Sequence, residues 1–174
     1  MRPLIAVVLS GVALIAACAV ASPLARWEVE HEQEIAAAPE VVWQVLADLA
    51  HYPEWNPYSR RVEGTLRVGD VVRVEAHLGG EMRVVENRVT RLEAPRELCW
   101  QSEGWYARLA RGTRCRHLDA LPDGSTRLRH HEVMDGPLAW LIERLYRPRI
   151  EAGLRGEDGA LAAAAEAIER GRAR

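Results

Sequence analysis

The segment IAAAPEVVWQVLADLAHYPEWNP, residues 35–57, decides the fold. Pro39 and Glu40 are typical of a helix start, because proline suits the first helical position and an acidic residue suits the first turn. Apolar residues then recur three and four apart and give the helix one buried face; they are Val42, Val45, Leu46 and Leu49. Tyr52 precedes Pro53, a position that disfavours helical backbone, so we expect the helix to end there.

Alternating apolar and polar residues predict strands on both sides of this helix. In the strand before it, residues 25–35, one face carries the less charged side chains; they are Trp27, Val29, His31, Gln33 and Ile35. Further alternating segments follow the helix, separated by turn residues; they are Val62–Val68, Val71–Leu78, Glu81–Glu93, Glu97–Ser102, Arg111–Leu121 and Ser125–Met134. A run of strands flanked by helices indicates an α+β fold.

A long helix is predicted after the last strand. Its apolar positions recur at helical spacing; they are Leu138, Leu141, Ile142, Leu145, Leu154, Leu161, Ala165 and Ile168. Pro148 predicts a kink within it. Only this helix is long enough to cover one face of the sheet, so we expect about seven antiparallel strands curved around it, with a cavity between sheet and helix.

The composition argues against several functional classes. The chain has 174 residues, of which 48% are hydrophobic and 28% charged, as expected for one globular domain. The 23 basic residues are all arginine and are scattered, and the net charge is −2, so a nucleic-acid partner is not expected. Phosphate-binding loops and metal-ligand spacings are not found in the sequence, so we expect neither a cofactor nor a metal.

Residues 1–21 have the form of an export signal, with Arg2 followed by an apolar run. Three outcomes are open. Cys18 ends a lipobox-like segment and would be lipidated, or an A-x-A site would be cleaved after Ala21. Alternatively the uncleaved run would anchor the chain, because about 18 apolar residues just span a bilayer. Each outcome predicts a domain in the bacterial cell envelope or periplasm.

Cys99 and Cys115 lie on consecutive predicted strands. If the hairpin between them is centred near residue 107, they are cross-strand neighbours and could form a disulfide in an oxidising compartment. Two separate, partly buried thiols are the alternative.

Several motifs resemble a known superfamily. They are the opening segment 35–57 and the segments 95–100, 121–128 and 132–138. Together they resemble SRPBCC proteins, the START-like polyketide cyclase/dehydrase and lipid transport superfamily, over about residues 26–170. The resemblance implies a helix-grip fold, in which a curved sheet wraps the C-terminal helix around a deep apolar cavity. Members of this superfamily include lipid carriers, polyketide binders and aromatic-ring cyclases.

Strand parity within such a fold predicts the residues that line the cavity. The first and last strands would be neighbours, which would bring four polar residues together; they are His31, Gln33, His130 and Glu132. His130 and Glu132 would bond to each other, orient the polar group of a ligand, or transfer a proton. The other candidates are mostly apolar or aromatic; they are Trp43, Trp55, Val74, Ala76, Val85, Asn87, Leu98, Trp100, Leu128, Met134, Leu141 and Leu145.

The sequence therefore predicts an exported or membrane-anchored domain that binds a small hydrophobic ligand, such as a lipid, a polyketide-like molecule or a terpenoid. The C-terminal helix would be the lid, and the run Tyr52–Tyr58 would lie near the entrance. The alternative is a cyclase or dehydratase-type enzyme that uses His130 and Glu132, with His31 as a further candidate. A third hypothesis is an envelope protein whose cavity is filled by side chains.

Overall fold

The computed structural model describes residues 25–78, 81–172 and 174. The predicted signal or anchor, residues 1–21 with Cys18, lies outside the described residues. No helix within the described part of the chain is long and apolar enough to cross a membrane.

Seven strands form one antiparallel sheet in the order β1-β7-β6-β5-β4-β3-β2. In chain order the elements are β1 (Arg26–Ile35), α1 (Pro39–Ala47), a 3-10 turn (Leu49–His51), α2 (Tyr52–Trp55), β2 (Ser59–Glu63), β3 (Val71–Leu78), β4 (Glu81–Glu93), β5 (Glu97–Ser102), a 3-10 helix (Trp105–Arg108), β6 (Arg111–Ala120), β7 (Thr126–Asp135) and α3 (Ala139–Arg172). A curved antiparallel sheet around one long helix confirms the predicted α+β helix-grip fold.

The first and last strands pair along their whole length, as predicted. Arg26 stands opposite Asp135, His31 opposite His130, and the remaining pairs continue in unbroken antiparallel register. Because side chains alternate along a strand, this register fixes which residues of β1 and β7 face α3. The predicted inward set on β7 is confirmed, since every second residue from Thr126 onward is buried as far as Glu132.

The sheet has two unlike ends. The open end is the edge where β1, β2, β4 and β6 begin and where β3, β5 and β7 finish. The closed end is the opposite edge, which α1 and the last turns of α3 cover. Its interior is a continuous apolar core; among its members are Ile35, Val41, Val42, Leu46, Leu98, Leu118, Leu128, Leu161 and Ala165.

Two local expectations were wrong. The second strand is Ser59–Glu63 and not Val62–Val68, because the turn begins at Gly64, whose φ of 132° suits glycine. The first helix does end before Pro53, at Ala47, but the expected non-helical backbone at Tyr52 is wrong: Tyr52 is helical, at φ −50° and ψ −42°, and starts α2. Proline is tolerated in the first turn of a helix, and burial of Tyr52 with its hydroxyl donating to the Leu46 carbonyl at 2.9 Å holds this turn in place.

Helix α3 continues through Pro148 as one element of 34 residues. Its buried stripe lies beyond the proline and recurs three and four residues apart; it consists of Leu154, Glu157, Asp158, Leu161, Ala162 and Ala165. Two acidic residues are therefore part of the buried face of the helix.

Cys99 and Cys115 stand opposite each other on β5 and β6 and form a disulfide. The sequence left open a disulfide or two separate thiols, and the structure contains the disulfide. The bond joins the outer side of two strands whose inner side carries the residues described next.

Candidate functional site

A layer of charged side chains crosses the middle of the concave face, between β1, β7, β6 and α3. We call it the charged layer; it consists of His31, Arg114, Arg116, His130, Glu132, Glu157 and Asp158. Most of these side chains are buried, and Asp158 and His130 are fully so. Ionisable groups are costly to bury unless they are paired, so their partners determine what the layer can do.

Asp158 joins two imidazoles. Its Oδ2 lies 2.8 Å from Nδ1 of His31, and its Oδ1 lies 2.6 Å from Nδ1 of His130. The two histidines stand opposite each other on β1 and β7, so one carboxylate from α3 reaches both. The predicted approach of His31 and His130 is confirmed, and Asp158 is the residue that links them.

Burial sets the protonation of this trio. It lowers the pKa of His130 well below its ordinary 6.5, and the charges of Arg116 and Arg114 lower it further. It also raises the pKa of Asp158 from 3.8 to about 6, against the hydrogen bond from His31. At neutral pH His130 is therefore uncharged and its Nδ1–H donates to ionised Asp158. That tautomer leaves a lone pair on Nε2 of His130, an atom without a partner among the described residues.

The two arginines hold the other two acids. Arg114 donates to Oε2 of Glu132 from Nη2 at 2.6 Å and from Nε at 3.1 Å, and its Nη1 donates to Glu157 at 3.2 Å. Arg116 donates to Oε1 of Glu157 from Nη2. Of the alternatives left open for His130 and Glu132, a hydrogen bond between the two is contradicted, because Glu132 binds Arg114 and His130 bonds to Asp158.

Arg116 is almost fully buried, at 1% exposure. Its guanidinium carbon lies 4.7 Å from the centroid of the Trp100 ring, a cation–π contact. Its Nε and Nη1 are buried and have no hydrogen-bond partner among the described residues. Because buried donors are nearly always satisfied, these two atoms and Nε2 of His130 are positions where a water or a ligand atom would be bound.

The charged layer borders the open half of the concave face. This half consists of inward-facing residues that are only half-buried; they are Val85, Asn87, Ser102, Gly112 and Met134. Helix α3 packs along β1 and β7, which leaves the inner side of β4 and β5 uncovered here. A side chain added at Gly112 would meet Glu132 Oε1 and Met134 Cε at 3.4 Å, so this position is the floor of the open half.

The other predicted site residues separate into groups by location. Leu98, Leu128, Val74, Ala76 and Trp100 belong to the apolar core, with Trp43 and Trp55 packed against it. Gln33 is half-buried on β1, Leu141 is half-buried on α3, and Leu145 is 56% exposed. The run Tyr52–Tyr58 packs onto α3, where the Tyr58 ring occupies the space beside Gly156. The deep apolar cavity that the resemblance implies is thus interrupted by the charged layer.

Four members of the charged layer were missed from the sequence: Arg114, Arg116, Glu157 and Asp158. Two signals could have found them. The arginines are on the same inward-facing side of β6 as Gly112 and Leu118, because all four are spaced two residues apart. The acids fall within the apolar stripe of α3, between Leu154 and Leu161. Charges at core positions of two facing elements are typical of a buried ion-pair network.

A narrow groove gives access to the layer from outside. It has a volume of about 180 Å³ and lies between β1 and α3, lined by residues that include Glu30, His31, Arg147, Glu151 and Arg155. His31 is the one member of the charged layer that lines it. The polar lining suits water or small ions better than an apolar ligand.

The chain belongs to the family described as polyketide cyclase/dehydrase and lipid transport, which it matches over residues 26–166, within the SRPBCC superfamily. None of the curated proteins matches the sequence.

Solved structures share the fold at low sequence identity. An aromatase/cyclase from Streptomyces is similar at 20% identity and a TM-score of 0.67, covering 82% of this chain and 94% of that one. Norcoclaurine synthase from Thalictrum flavum is similar at 18% identity and a TM-score of 0.65, covering 83% and 97%. A protein of unknown function from Staphylococcus aureus is similar at 14% identity and a TM-score of 0.67, covering 84% and 97%. At these identities the likeness shows the fold alone.

Proposed function

We propose that this chain is an exported or membrane-anchored binding protein for a small, largely hydrophobic ligand that carries one polar group. A lipid, a polyketide-like molecule and a terpenoid all meet that description. The observation that carries the proposal is the open half of the concave face, where inward-facing Val85 and Met134 stay half-exposed beside Asn87, Ser102 and Gly112, next to the charged layer. The family supports ligand binding or a cyclase role, and the sequence of residues 1–21 supports export.

Two forces would hold the ligand. Covering the apolar walls contributes about 25 cal/mol per Å² removed from water. The polar group would meet Arg114 and Glu132, which form the border of the charged layer and are 28% and 9% exposed at their side chains. A ligand without a polar group would cover these charges and leave them unsolvated, so the layer selects for amphipathic molecules.

Native mass spectrometry of protein purified without detergent tests this proposal. We expect a co-purifying apolar molecule in the wild-type protein and its loss in Gly112→Leu, whose side chain would fill the floor of the open half. Gly153→Leu on α3 is the matched control, because a Cβ there meets nothing within 4 Å. An empty wild-type protein, or equal ligand retention in both variants, would contradict ligand binding at this position.

An enzyme of the cyclase or dehydratase type is the second candidate. Asp158 and His130 favour it, because a carboxylate that orients Nδ1 of a neutral imidazole makes the opposite nitrogen a general base. Nε2 of His130 is the unpartnered atom. Glu132, the partner expected from the sequence, is ion-paired with Arg114 and would instead position a polar group.

The variant His130→Gln distinguishes the two candidate functions. If the protein is an enzyme, this variant keeps the co-purified ligand but no longer converts it when the purified complex is incubated and its ligand is followed by mass over time. If the protein only binds, the ligand mass stays constant in wild type and variant alike.

Export is tested on the same sample. Intact mass of protein recovered from its native source distinguishes lipidation at Cys18, cleavage after Ala21 and an uncleaved chain retained in the membrane fraction. Recovery of a soluble chain that begins at Met1 from the cytoplasm would contradict all three.

A further inference from the structure

Exposed apolar side chains are concentrated at the open end of the molecule. Of the eight exposed large hydrophobic residues among those described, only Val68 lies elsewhere, in the loop between β2 and β3 at the closed end. We call the other seven the apolar rim; they are Met82, Val84, Trp105, Leu109, Trp140, Leu145 and Tyr146. Trp105 is 74% exposed, far more than a tryptophan with a role in the core.

Folding brings the rim together from three separate parts of the chain. They are the start of β4, the 3-10 helix with the residue after it, and the first turns of α3. The N–H of Leu138 donates to the Leu109 carbonyl at 2.8 Å, and the hydroxyl of Tyr106 lies 3.3 Å from the backbone nitrogen of Glu86. The first bond joins the 3-10 helix to the start of α3, and the second joins it to β4 at Glu86, two residues from Val84 and four from Met82. Exposed apolar side chains gathered at one end of a molecule mark an interaction site.

The N-terminal segment joins the domain at the same place. The N–H of Gly136, just before α3, donates to the carbonyl of Ala25. The seven residue-to-residue steps from Cys18 to Ala25 span at most about 25 Å at full extension. With a lipidated Cys18 or an uncleaved anchor, as in the proposed function on which this inference rests, Ala25 and the start of α3 beside it are held near a bilayer.

The charges around the rim fit lipid headgroups. Asp135 and Glu143 are paired with Arg111 and Arg147. Three nearby arginines form no ion pair with a described residue; they are Arg108, Arg144 and Arg149. Tryptophan and tyrosine are favoured at the membrane interface and arginine binds phosphate, so the rim matches a bilayer surface. A second copy of the chain would bring the same arginines face to face, which disfavours a dimer there.

We propose that the apolar rim lies in the interfacial layer of a bilayer, so that the open half of the concave face opens toward the lipid. The ligand is then a membrane-resident amphipathic molecule, which passes between bilayer and concave face without crossing water. Insertion of the apolar side chains contributes most to membrane binding. The arginines contribute less, and their contribution falls as the salt concentration rises.

Quenching of tryptophan by brominated lipid tests this orientation. The full chain is reconstituted into vesicles of phosphatidylcholine and phosphatidylglycerol with bromine on the acyl chains. Residues 1–24 contain no tryptophan, so that segment adds no signal. We expect wild-type emission to be quenched at least about twofold more than that of Trp105→Leu/Trp140→Leu, which keeps the rim apolar but removes its reporters.

Two controls make the result specific. Val68→Trp in the double-leucine background puts a reporter at the closed end and should add no quenching. Leu109→Glu/Leu145→Glu should halve the quenching of Trp105 and Trp140, whereas Val68→Glu should not change it. Equal quenching of wild type and the double-leucine variant, or strong quenching at position 68, overturns the proposal.

Failure of the anchor gives a different result from failure of the rim. A chain that does not sediment with vesicles overturns both membrane anchoring and this orientation. A chain that sediments but shows no rim quenching overturns the orientation alone, and a cross-linked dimer in that case identifies a second copy as the occupant.

Discussion

The closed and open ends of the concave face are built from the same strands and the same helix, yet they differ in what fills them. At the closed end, Leu128 and Leu161 are fully buried and α1 seals the edge. At the open end, Met134 faces inward but stays half-exposed, and the residues of the apolar rim face outward into solvent. The charged layer separates the two. The comparison indicates that one end supplies stability, while the other keeps apolar surface available for binding.

The largest effect is expected where the charged layer is broken. Arg116→Met removes one of the two arginine partners of Glu157 and leaves this acid in the core with Arg114 alone, so we expect a loss of about 3 kcal/mol in the free energy of unfolding. Urea denaturation measures it. Arg129→Met, which breaks an exposed pair with Asp119, is the control and should cost less than about 1 kcal/mol. Similar losses in both variants would show that the layer does not act as a buried network.

A direct comparison of the two ends comes from matched truncations. Leu161→Ala at the closed end creates a cavity and should cost about 2–5 kcal/mol. Met134→Ala at the open end removes a side chain that water already reaches, so its cost should stay below about 1.5 kcal/mol. Thermal and urea unfolding of both variants measure the difference. Equal costs would mean that the open half is packed as tightly as the core.

The charged layer also predicts a pH effect. Because the pKa of Asp158 is raised to about 6 in the folded protein, its contribution to stability is complete below pH 3.8 and is lost as pH rises through 6. Asp158→Asn does not titrate. The stability of the wild type relative to this variant should therefore fall by about 1–3 kcal/mol between pH 4 and pH 7.

The contribution of His130 to stability has the opposite pH dependence. Its pKa is lowered by folding, so its contribution is present above pH 6.5 and is lost as pH falls. Because Asp158 is bonded to His31 and His130, the difference between the two proteins in urea unfolding at the two pH values reports the titration of this trio as a unit. Parallel pH profiles would show that Asp158 has an ordinary pKa.

The smallest effect is expected at the apolar rim. Leu145→Glu replaces a side chain that is 56% exposed, so stability should change by less than about 0.5 kcal/mol. Differential scanning calorimetry measures it, with Val68→Glu as the matched exposed position. A loss above 1.5 kcal/mol would assign Leu145 to the core and weaken the comparison between the two ends.

Much of the framework could be predicted because it depends on local rules. Strand alternation has a fixed period of two, so the inward parity of β1 and β7 followed from the sequence, whereas their pairing was implied by the resemblance to a helix-grip fold. The backbone at Tyr52 was less predictable, because the bias against helical backbone before proline was overcome by the burial of Tyr52 at the start of α2.

The charged layer could not be found by the same reasoning. Taken alone, Arg116 or Glu157 is expected to lie in solvent, since burying either charge without a partner is strongly unfavourable. Only the pair makes burial possible, and its members are 41 residues apart on different elements. Identifying such a pair requires the relative placement of β6 and α3, which neither segment specifies by itself.

The pairing of β1 with β7 also determines when the sheet can be completed during synthesis. Ninety residues separate Ile35 from its partner Thr126, so β1 has no neighbour in the sheet until most of the chain has been made. At about 5–20 residues per second, synthesis of that interval takes roughly 5–20 s. During that interval the domain cannot complete its sheet, so the fold closes only late in synthesis.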